Sequence, residues 1–331
     1  MRRFWAVLAA VAGAAVVLGV GSTAHAQFMD LMRFEHQPGP FPVPVAEAAG
    51  EFFAADAAGT STIERMRLKG PVESITVKWN QARPSELDKG PQPYAEVSIR
   101  FDEHGMAASS STSSAVGSDA ASTQYTPAYA DIAGKRLATE LKASVIRNKV
   151  DAPQETFQHF EYDDQGRITK IRFEMAVPSQ PKPVTTMEQT IERGSDGNIT
   201  AIRMTREGQA RTSQYDAEGR LAKTQINGID LVVASWESPR SAALSGMVTQ
   251  RLFSAVAFDD RGSIASWKGP PILGIVAEPR GTQLDYTNTV EYDDRGNWTR
   301  ITTRCKRPDP AGEPAELTLI EYARTITCRA E

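Results

Sequence analysis

Apolar and polar residues alternate in short runs along most of the chain, and one short pattern repeatedly interrupts these runs. The fullest copy is VEYDDRGNWTRITTR at residues 290–304, and YDDQGRITKI at 162–171 repeats it. YDAEGRLAKT at 215–224 and FDDRGSIASW at 258–267 follow the same frame, whereas RGSDGNITAI at 193–202 and FDEHGM at 101–106 keep only parts of it. An aromatic residue ends one alternating run and an apolar residue opens the next. Each copy therefore predicts a strand, a tight turn and a second strand.

The residues between the two runs are typical of turns. An aspartate comes first and a glycine follows three residues later, in the pairs Asp163 and Gly166, Asp216 and Gly219, Asp259 and Gly262, and Asp293 and Gly296. A carboxylate at the first position can accept a hydrogen bond from the backbone N–H two residues on. Glycine adopts a positive φ at little cost. The sequence thus predicts structural turns at 163–166, 216–219, 259–262 and 293–296, each with its glycine at positive φ.

A second apolar position follows the first by three residues, as in Ile171, Ile202, Trp267 and Ile301. Side chains of a regular strand alternate between its faces, so this spacing places the two apolar residues on opposite faces. Either a β-bulge restores the common face, or both faces of the sheet are partly covered.

The predicted fold is mainly all-β, with antiparallel β-hairpin repeats forming an extended curved sheet over residues 63–331. One helix is predicted at 131–148, where Ile132, Leu137, Leu141 and Val145 lie at near-helical spacing among Ala and Lys. The low-complexity segment 107–122 is a flexible linker or, alternatively, a long hairpin strand of small residues.

Residues 1–26 are predicted to be a secretory signal peptide. Arg2 and Arg3 precede an apolar run, and Ala24-His25-Ala26 has the form of a cleavage site. An uncleaved membrane anchor is the alternative, since the run is nearly long enough to span a bilayer. Residues 27–62 form a Pro- and Ala-rich arm. The expected location is periplasmic or secreted, with membrane contact only through the signal peptide.

The repeated motif resembles that of the bacterial YD-repeat, or Rhs-like, proteins. YDDRGNWTRI, YDDQGRITKI and YDAEGRL carry the resemblance, and LKGPVESITVKW at 68–79 and IEYARTITC at 320–328 are similar to the opening and closing strands of small secreted members. The resemblance covers roughly residues 63–328, with gaps. It implies long antiparallel hairpin sheets, which in some members wrap into a shell around a toxin. It implies no catalytic residue for this chain.

Charge and missing motifs exclude several classes of function. Without residues 1–26 the chain has 35 basic and 41 acidic residues, a net charge of −6, which argues against a nucleic-acid partner. No serine-hydrolase elbow, nucleotide-binding glycine loop or zinc-ligand spacing occurs. No catalytic, cofactor-binding or metal-binding residue is predicted. Stacked aspartate turns could in principle hold Ca²⁺, but none has the spacing of a calcium loop.

The two cysteines, Cys305 and Cys328, are predicted to form a disulfide. They are the only cysteines, and the signal peptide directs the chain to an oxidising compartment. A simple hairpin through residues 306–316 would place Cys305 opposite a residue near 317, so the bridge requires the last strand to sit differently, for example with the C-terminal end folded back across the sheet. Two free thiols are the alternative.

Three functions are compatible with these features. The first is a non-enzymatic scaffold or interaction surface that binds a protein or envelope component, since long sheets present edges and curved faces. The second is a carrier for an apolar ligand or envelope glycan, which a sizeable apolar pocket would favour. The third is a cell-wall-directed enzyme with a scattered site.

Overall fold

The computed structural model describes residues 63, 68–114, 120–147, 153–177, 180–206, 208–218, 220–238, 241–245, 255–260, 264–269, 282–307 and 315–330. The predicted signal peptide (1–26) and arm (27–62) lie outside these residues. A short 3-10 helix at Pro84–Lys89 interrupts a structure otherwise made of β-strands. No helix in the described part of the chain is long and apolar enough to cross a membrane.

The described residues form eighteen strands. They are β1 (Val72–Gln81), β2 (Gln92–Phe101), β3 (Ala107–Ser114), β4 (Ala120–Ile132), β5 (Lys135–Arg147), β6 (Gln154–Tyr162), β7 (Ile168–Met175), β8 (Val184–Arg193), β9 (Ile199–Arg206), β10 (Gln209–Tyr215), β11 (Leu221–Ile226), β12 (Ile229–Ser238), β13 (Ser241–Ser245), β14 (Ala255–Phe258), β15 (Ile264–Gly269), β16 (Leu284–Tyr292), β17 (Trp298–Arg307) and β18 (Ala315–Cys328).

The strands form a closed antiparallel barrel. Each strand pairs with the next one in sequence, and β18 returns to pair with β1. In the closing pair Ile75 lies opposite Ile326, and Trp79 lies opposite Tyr322. The prediction of mainly antiparallel β-structure is confirmed, but the extended sheet is wrong. Closure gives a neighbour to each of the two strands that would otherwise be edges of that sheet.

Strand direction places the predicted turns at one end of the barrel. Because consecutive strands alternate in direction, every connection from an even-numbered strand to the next odd-numbered strand lies at the same end. We call this end the turn rim. It holds the connections that follow β2, β4, β6, β8, β10, β14 and β16, together with the start of β1 and the end of β18.

A β-bulge follows the turns and explains the three-residue apolar spacing. Glu161 lies opposite Lys170 but Tyr162 lies opposite Ile168, so Thr169 is the extra residue. Ile168 and Ile171 consequently share a face, and they are only 0% and 5% exposed. The same shift occurs in the hairpins β2–β3, β8–β9, β10–β11, β14–β15 and β16–β17. The bulge is therefore the correct one of the two alternatives.

The two faces of the barrel wall differ sharply in chemistry. Val97 lies opposite Val77 on one side and Thr112 on the other, and all three side chains are buried. The adjacent Lys78 and Glu96 point to the other face and are exposed. Only the concave side of a closed wall is covered by the rest of the wall, so the buried face is the interior.

The outward positions are polar or charged along most of the wall. Exposed examples are Arg100, Ser111, Gln124, Thr126, Arg203, Asp285, Thr287, Glu291, Arg300, Lys306 and Thr325. The hydrophobic core is thus a continuous apolar layer on the inside of the barrel.

Residues 131–148, predicted as a helix, instead contain the end of β4, a turn and all of β5. The apolar residues Leu141, Ala143 and Val145 alternate along β5 and face the interior. The low-complexity segment is strand rather than linker over β3 and the start of β4, with Ser110 and Thr112 buried. Residues 115–119 lie outside the described residues.

Candidate functional site

The predicted turns share one hydrogen-bond pattern, which begins with an aspartate. Asp163 Oδ1 accepts the backbone N–H groups of Gln165 (3.0 Å) and Arg167 (2.9 Å), and its Oδ2 accepts Arg167 Nε (2.7 Å). The Gly166 N–H donates to the Asp163 carbonyl at 3.0 Å. Asp216 makes the equivalent three carboxylate bonds with Glu218 and Arg220.

Two further aspartates repeat the pattern with different partners. Asp293 Oδ1 accepts the N–H groups of Arg295 (3.0 Å) and Asn297 (2.7 Å), and Asp293 Oδ2 accepts Asn297 Nδ2 (2.9 Å). Asp102 Oδ1 accepts the N–H groups of His104 and Met106, both at 2.9 Å. These carboxylates have the structural role that the sequence predicts.

The glycines of two predicted turns have positive φ, +74° at Gly166 and +83° at Gly296, as predicted. Gly219 and Gly262 lie outside the described residues. Asp259 accepts the Tyr292 hydroxyl at 3.0 Å through Oδ2, which connects two neighbouring turns.

The same hydrogen bonds compete with any binding of Ca²⁺ by the turn aspartates. Both oxygens of Asp163, Asp216 and Asp293 already accept bonds from their own turns. Within the described residues no group of three or more His, Cys, Asp or Glu side chains is arranged to hold a metal ion.

The predicted disulfide is wrong, since Cys305 and Cys328 are not bonded to each other. Cys305 is buried on β17 opposite Leu317, which is the register of a simple hairpin. Cys328 ends β18 opposite Val72, and Arg295 Nη1 lies 2.8 Å from its Sγ. Both cysteines are therefore thiols in this structure.

A cleft of about 450 Å³ opens at the turn rim between the start of β1, the β2–β3 turn and the β4–β5 hairpin. Its apolar lining comes from Ile63, Pro71, Val72, Met106, Leu137 and Ala138. Four of these are core residues, with Val72 and Met106 only 1% exposed. The apolar core of the barrel therefore closes the floor of the cleft.

Tyr129 joins the wall of the cleft to the β2–β3 turn. Its hydroxyl donates to Asp102 Oδ2 at 2.6 Å, and its ring centroid lies 4.7 Å from that of His104. Burial raises the pKa of the Tyr129 phenol, and the hydrogen bond and negative charge of Asp102 raise it further. The phenol therefore stays protonated and donates its hydrogen bond. Both carboxylate oxygens of Asp102 accept hydrogen bonds, Oδ1 from its own turn and Oδ2 from Tyr129.

Three cationic side chains surround the mouth of the cleft: Lys135, Arg136 and Arg329. Arg329 Nη2 donates to the carbonyls of Phe101 (3.1 Å) and Asp102, which fixes the guanidinium beneath the β2–β3 turn. Arg136 lies over the Tyr129 ring at 5.9 Å, and its Nη1 is 3.6 Å from Asp131.

Sequence reasoning did not find this cleft. Lys135 and Arg136 lie in the segment predicted as a helix, and Arg329 follows the last strand. Only closure of β18 onto β1 brings Arg329 beside the β2–β3 turn, and the sequence carries no local signal for that closure. Among the turns that the structure describes, the one in FDEHGM (101–106), one of the two incomplete copies, borders the cleft.

Comparison with known proteins gives no family. No family model matches the chain, and no curated protein matches it. A solved structure of a porin-like protein from Bacteroides uniformis ATCC 8492 is similar over 78% of this chain and 98% of its own, at 12% identity and a TM-score of 0.39.

Structures of the TcdB2-TccC3 complexes are also similar. The TcdB2-TccC3-Cdc42 structure matches 68% of this chain but only 15% of its own, at 11% identity and a TM-score of 0.29. The TcdB2-TccC3-TEV structure gives the same coverage and identity at a TM-score of 0.30. These similarities are too weak to assign a family or a function, and the YD-repeat resemblance stays a prediction.

Proposed function

We propose that the protein is a non-catalytic binding protein of the cell envelope, periplasmic or secreted, that holds a small ligand with an apolar part in the turn-rim cleft. The observation that carries the proposal is the cleft itself, whose volume of about 450 Å³ lies within the range of small-molecule sites. Its lining combines four core residues with a larger share of polar and charged groups, which suits a ligand that has both an apolar and a polar part.

The two faces of the barrel support an aqueous location. Barrels that span a lipid bilayer present an apolar band outward and line their lumen with polar residues. Here the arrangement is reversed, since Val77 and Val97 face inward while Lys78 and Glu96 face outward. Such a wall is suited to contact with water outside and with an apolar group inside.

A scaffold role that uses free sheet edges has less support. Among the described strands β1 and β18 pair with each other, so neither offers its backbone groups to a partner strand. Of the functions compatible with the sequence, a carrier of an apolar ligand is therefore the one that the geometry favours.

Titration with N-phenyl-1-naphthylamine, a neutral fluorescent apolar probe, tests the proposal. We expect saturable binding with one probe per chain. The Ile63→Trp variant, which fills the cleft from its wall, should weaken binding about tenfold or more, because the probe loses its apolar contacts.

Ile146→Trp is the matched control, since Ile146 is 38% exposed on β5 and points outward, away from the cleft. It should bind the probe like the wild type. Absence of saturable binding to the wild type, or equal affinities for wild type and Ile63→Trp, would overturn the proposal.

A further inference from the structure

We infer that the ligand of the turn-rim cleft carries an anionic group, a carboxylate or a phosphate, which Lys135 and Arg136 hold at the mouth while the apolar part lies deeper. This inference rests on the proposed function, because it assigns a chemical class to the ligand of the same site. Three observations support it: the charge balance of the lining, the fixed position of Arg329 and the commitment of Asp102.

The lining is positive on a chain that is negative overall. It contains Lys135, Arg136 and Arg329 against Asp102 and Glu103, a net charge of +1 before any contribution from His104. The whole chain has a net charge of −4. The lining therefore has a small excess of positive charge, which favours an anionic group over a cationic one.

The basic groups are more available than the acidic ones. Asp102 already accepts three hydrogen bonds, two from its own turn and one from Tyr129. Both of its carboxylate oxygens are therefore already hydrogen-bonded within the protein. Glu103 is 81% exposed and lies 3.5 Å from His104, so it points towards solvent beside that ring.

Arg329 and Lys135 have no carboxylate partner within ion-pair distance in the part of the chain that the structure describes. Arg329 donates instead to the neutral carbonyls of Phe101 and Asp102, which leave its positive charge uncompensated. Lys135 is exposed at the tip of the β4–β5 hairpin, where its ammonium can reach an incoming group. Arg136 lies 3.6 Å from Asp131 in an exposed ion pair, and its planar guanidinium has further N–H groups that can contact a carboxylate or phosphate.

The apolar residues lie on the inner side of these charges. Val72 and Met106 are nearly inaccessible core residues, whereas Lys135 and Arg136 are exposed at the mouth. A ligand that fits this order has its charge at the surface and its hydrocarbon part towards the barrel interior.

Calorimetric titration with four octyl compounds tests the inference: octanoate, octyl phosphate, 1-octanol and octyltrimethylammonium. We expect octanoate or octyl phosphate to bind about tenfold or more tightly than 1-octanol, and octyltrimethylammonium to bind most weakly. Whichever of the two anions binds more tightly identifies the head group. Added salt should weaken anion binding and leave 1-octanol binding unchanged.

The Lys135→Gln/Arg136→Gln double variant should lose the preference for the anions and keep its affinity for 1-octanol. Both side chains are exposed, so the variant should fold normally. Lys78→Gln removes a cation that is 66% exposed on the outer face of β1, and it should retain the preference.

The outcomes separate the inference from the proposed function. Equal affinities for octanoate, octyl phosphate and 1-octanol would overturn the inference and support the apolar cleft. Absence of binding by all four compounds would overturn both. Tight binding of inorganic phosphate that matches octyl phosphate would also overturn both, because the apolar lining would then contribute nothing.

Discussion

The hydroxyl of Tyr129 donates a 2.6 Å hydrogen bond to Asp102 Oδ2 and so ties strand β4 to the turn between β2 and β3. The same carboxylate caps its own turn through Oδ1. One aspartate therefore fixes both the turn and the wall of the cleft. This relationship makes the cleft a preformed feature of the barrel, whose shape should not depend on a ligand.

Tyr129→Phe should lower the free energy of unfolding by about 1.5–3 kcal/mol, because it leaves a carboxylate oxygen without its donor. Tyr162→Phe is the comparison, since the Tyr162 hydroxyl donates at the same distance, 2.6 Å, to the neutral carbonyl of Ala138. That variant should lose only about 0.5–1.5 kcal/mol. Urea unfolding of both variants measures the difference, and equal losses would contradict a special role for the charged acceptor.

Alanine substitutions at two glycines with the same φ distinguish the energetic cost of backbone strain from that of steric crowding. Gly134 and Gly166 both have φ of +74°, but a Cβ at Gly134 would meet nothing within 4 Å. At Gly166 it would lie 3.3 Å from Leu137 Cδ1 and 3.4 Å from Ala133 Cβ.

Gly134→Ala should therefore cost about 1 kcal/mol from the positive φ alone, and Gly166→Ala should cost more. Thermal melts of the two variants measure this order. A Gly134→Ala loss as large as that of Gly166→Ala would show that packing at the turn contributes nothing.

Local structure was largely predictable from the sequence, and the reason is visible at residues 162–171. The turn between Asp163 and Gly166 depends on hydrogen bonds between residues within a few positions of each other, so a short stretch of sequence is enough to predict it. The bulge at Thr169 was one of two alternatives, because only the pairing register decides between them.

The helix was wrong because its apolar spacing fits two structures. Leu137, Leu141 and Val145 are four residues apart, which suits a helix but is also an even number and suits one face of a strand. Pairing along the whole of β4 and with β6 outweighs the helix propensity of Ala and Lys.

Closure and the cleft could not be predicted, because they depend on contacts between distant parts of the chain. The pairing of Val72 with Cys328 joins the first and last strands, and no turn connects them. The disulfide prediction failed for a related reason. An oxidising compartment favours a bridge between any two cysteines that can meet, but the register places Cys305 opposite Leu317.

The two thiols should differ in reactivity. Cys305 is 1% exposed, whereas Cys328 is half-buried at the turn rim. Protein from the native host should therefore expose one reactive thiol to Ellman's reagent when folded and two when denatured without reductant. The Cys328→Ser variant should expose none when folded. A count of zero in the denatured wild type would restore the disulfide.

Acid should destabilise the barrel through its turn aspartates. Burial alone would raise the pKa of Asp293, but hydrogen bonds from the side chain and N–H of Asn297 and from the Arg295 N–H outweigh it and lower that pKa below the ordinary 3.8. A carboxyl whose pKa is lowered by folding stabilises the protein above its unfolded pKa. This contribution is lost as the pH falls through the folded pKa.

Asp293→Asn should thus be less stable than the wild type at pH 7, and the gap should narrow once the pH falls below about 4. Asp294, the next residue, is exposed and provides the control. Asp294→Asn should differ less from the wild type at pH 7 than Asp293→Asn does, because its exposed side chain is not part of the turn's hydrogen-bond pattern. Melting temperatures between pH 7 and pH 2.5 measure both, and a gap for Asp293→Asn that does not change with pH would contradict the prediction.

One buried arginine lies beside the seam that closes the barrel. Arg324 on β18 is 5% exposed, and its Nε donates to the Trp298 carbonyl on β17 at 2.7 Å. Its guanidinium also lies 4.0 Å from the centre of the Trp298 ring. On its other side Arg324 pairs with Val77 of β1, so it stands between the last hairpin and the first strand.

Arg324→Ala should lower the free energy of unfolding by about 2–4 kcal/mol, since a charge-assisted hydrogen bond and a desolvated cation–π contact are lost together. Arg324→Lys keeps the charge but loses the planar contact, and it should fall between Arg324→Ala and the wild type. Arg300→Ala is the matched control, because Arg300 lies opposite Ala323 on the exposed outer face of the same hairpin. Its effect should stay within about 0.5 kcal/mol. Urea unfolding measures all three, and an Arg324→Ala loss no larger than that of Arg300→Ala would show that the contacts of Arg324 with Trp298 add nothing to stability.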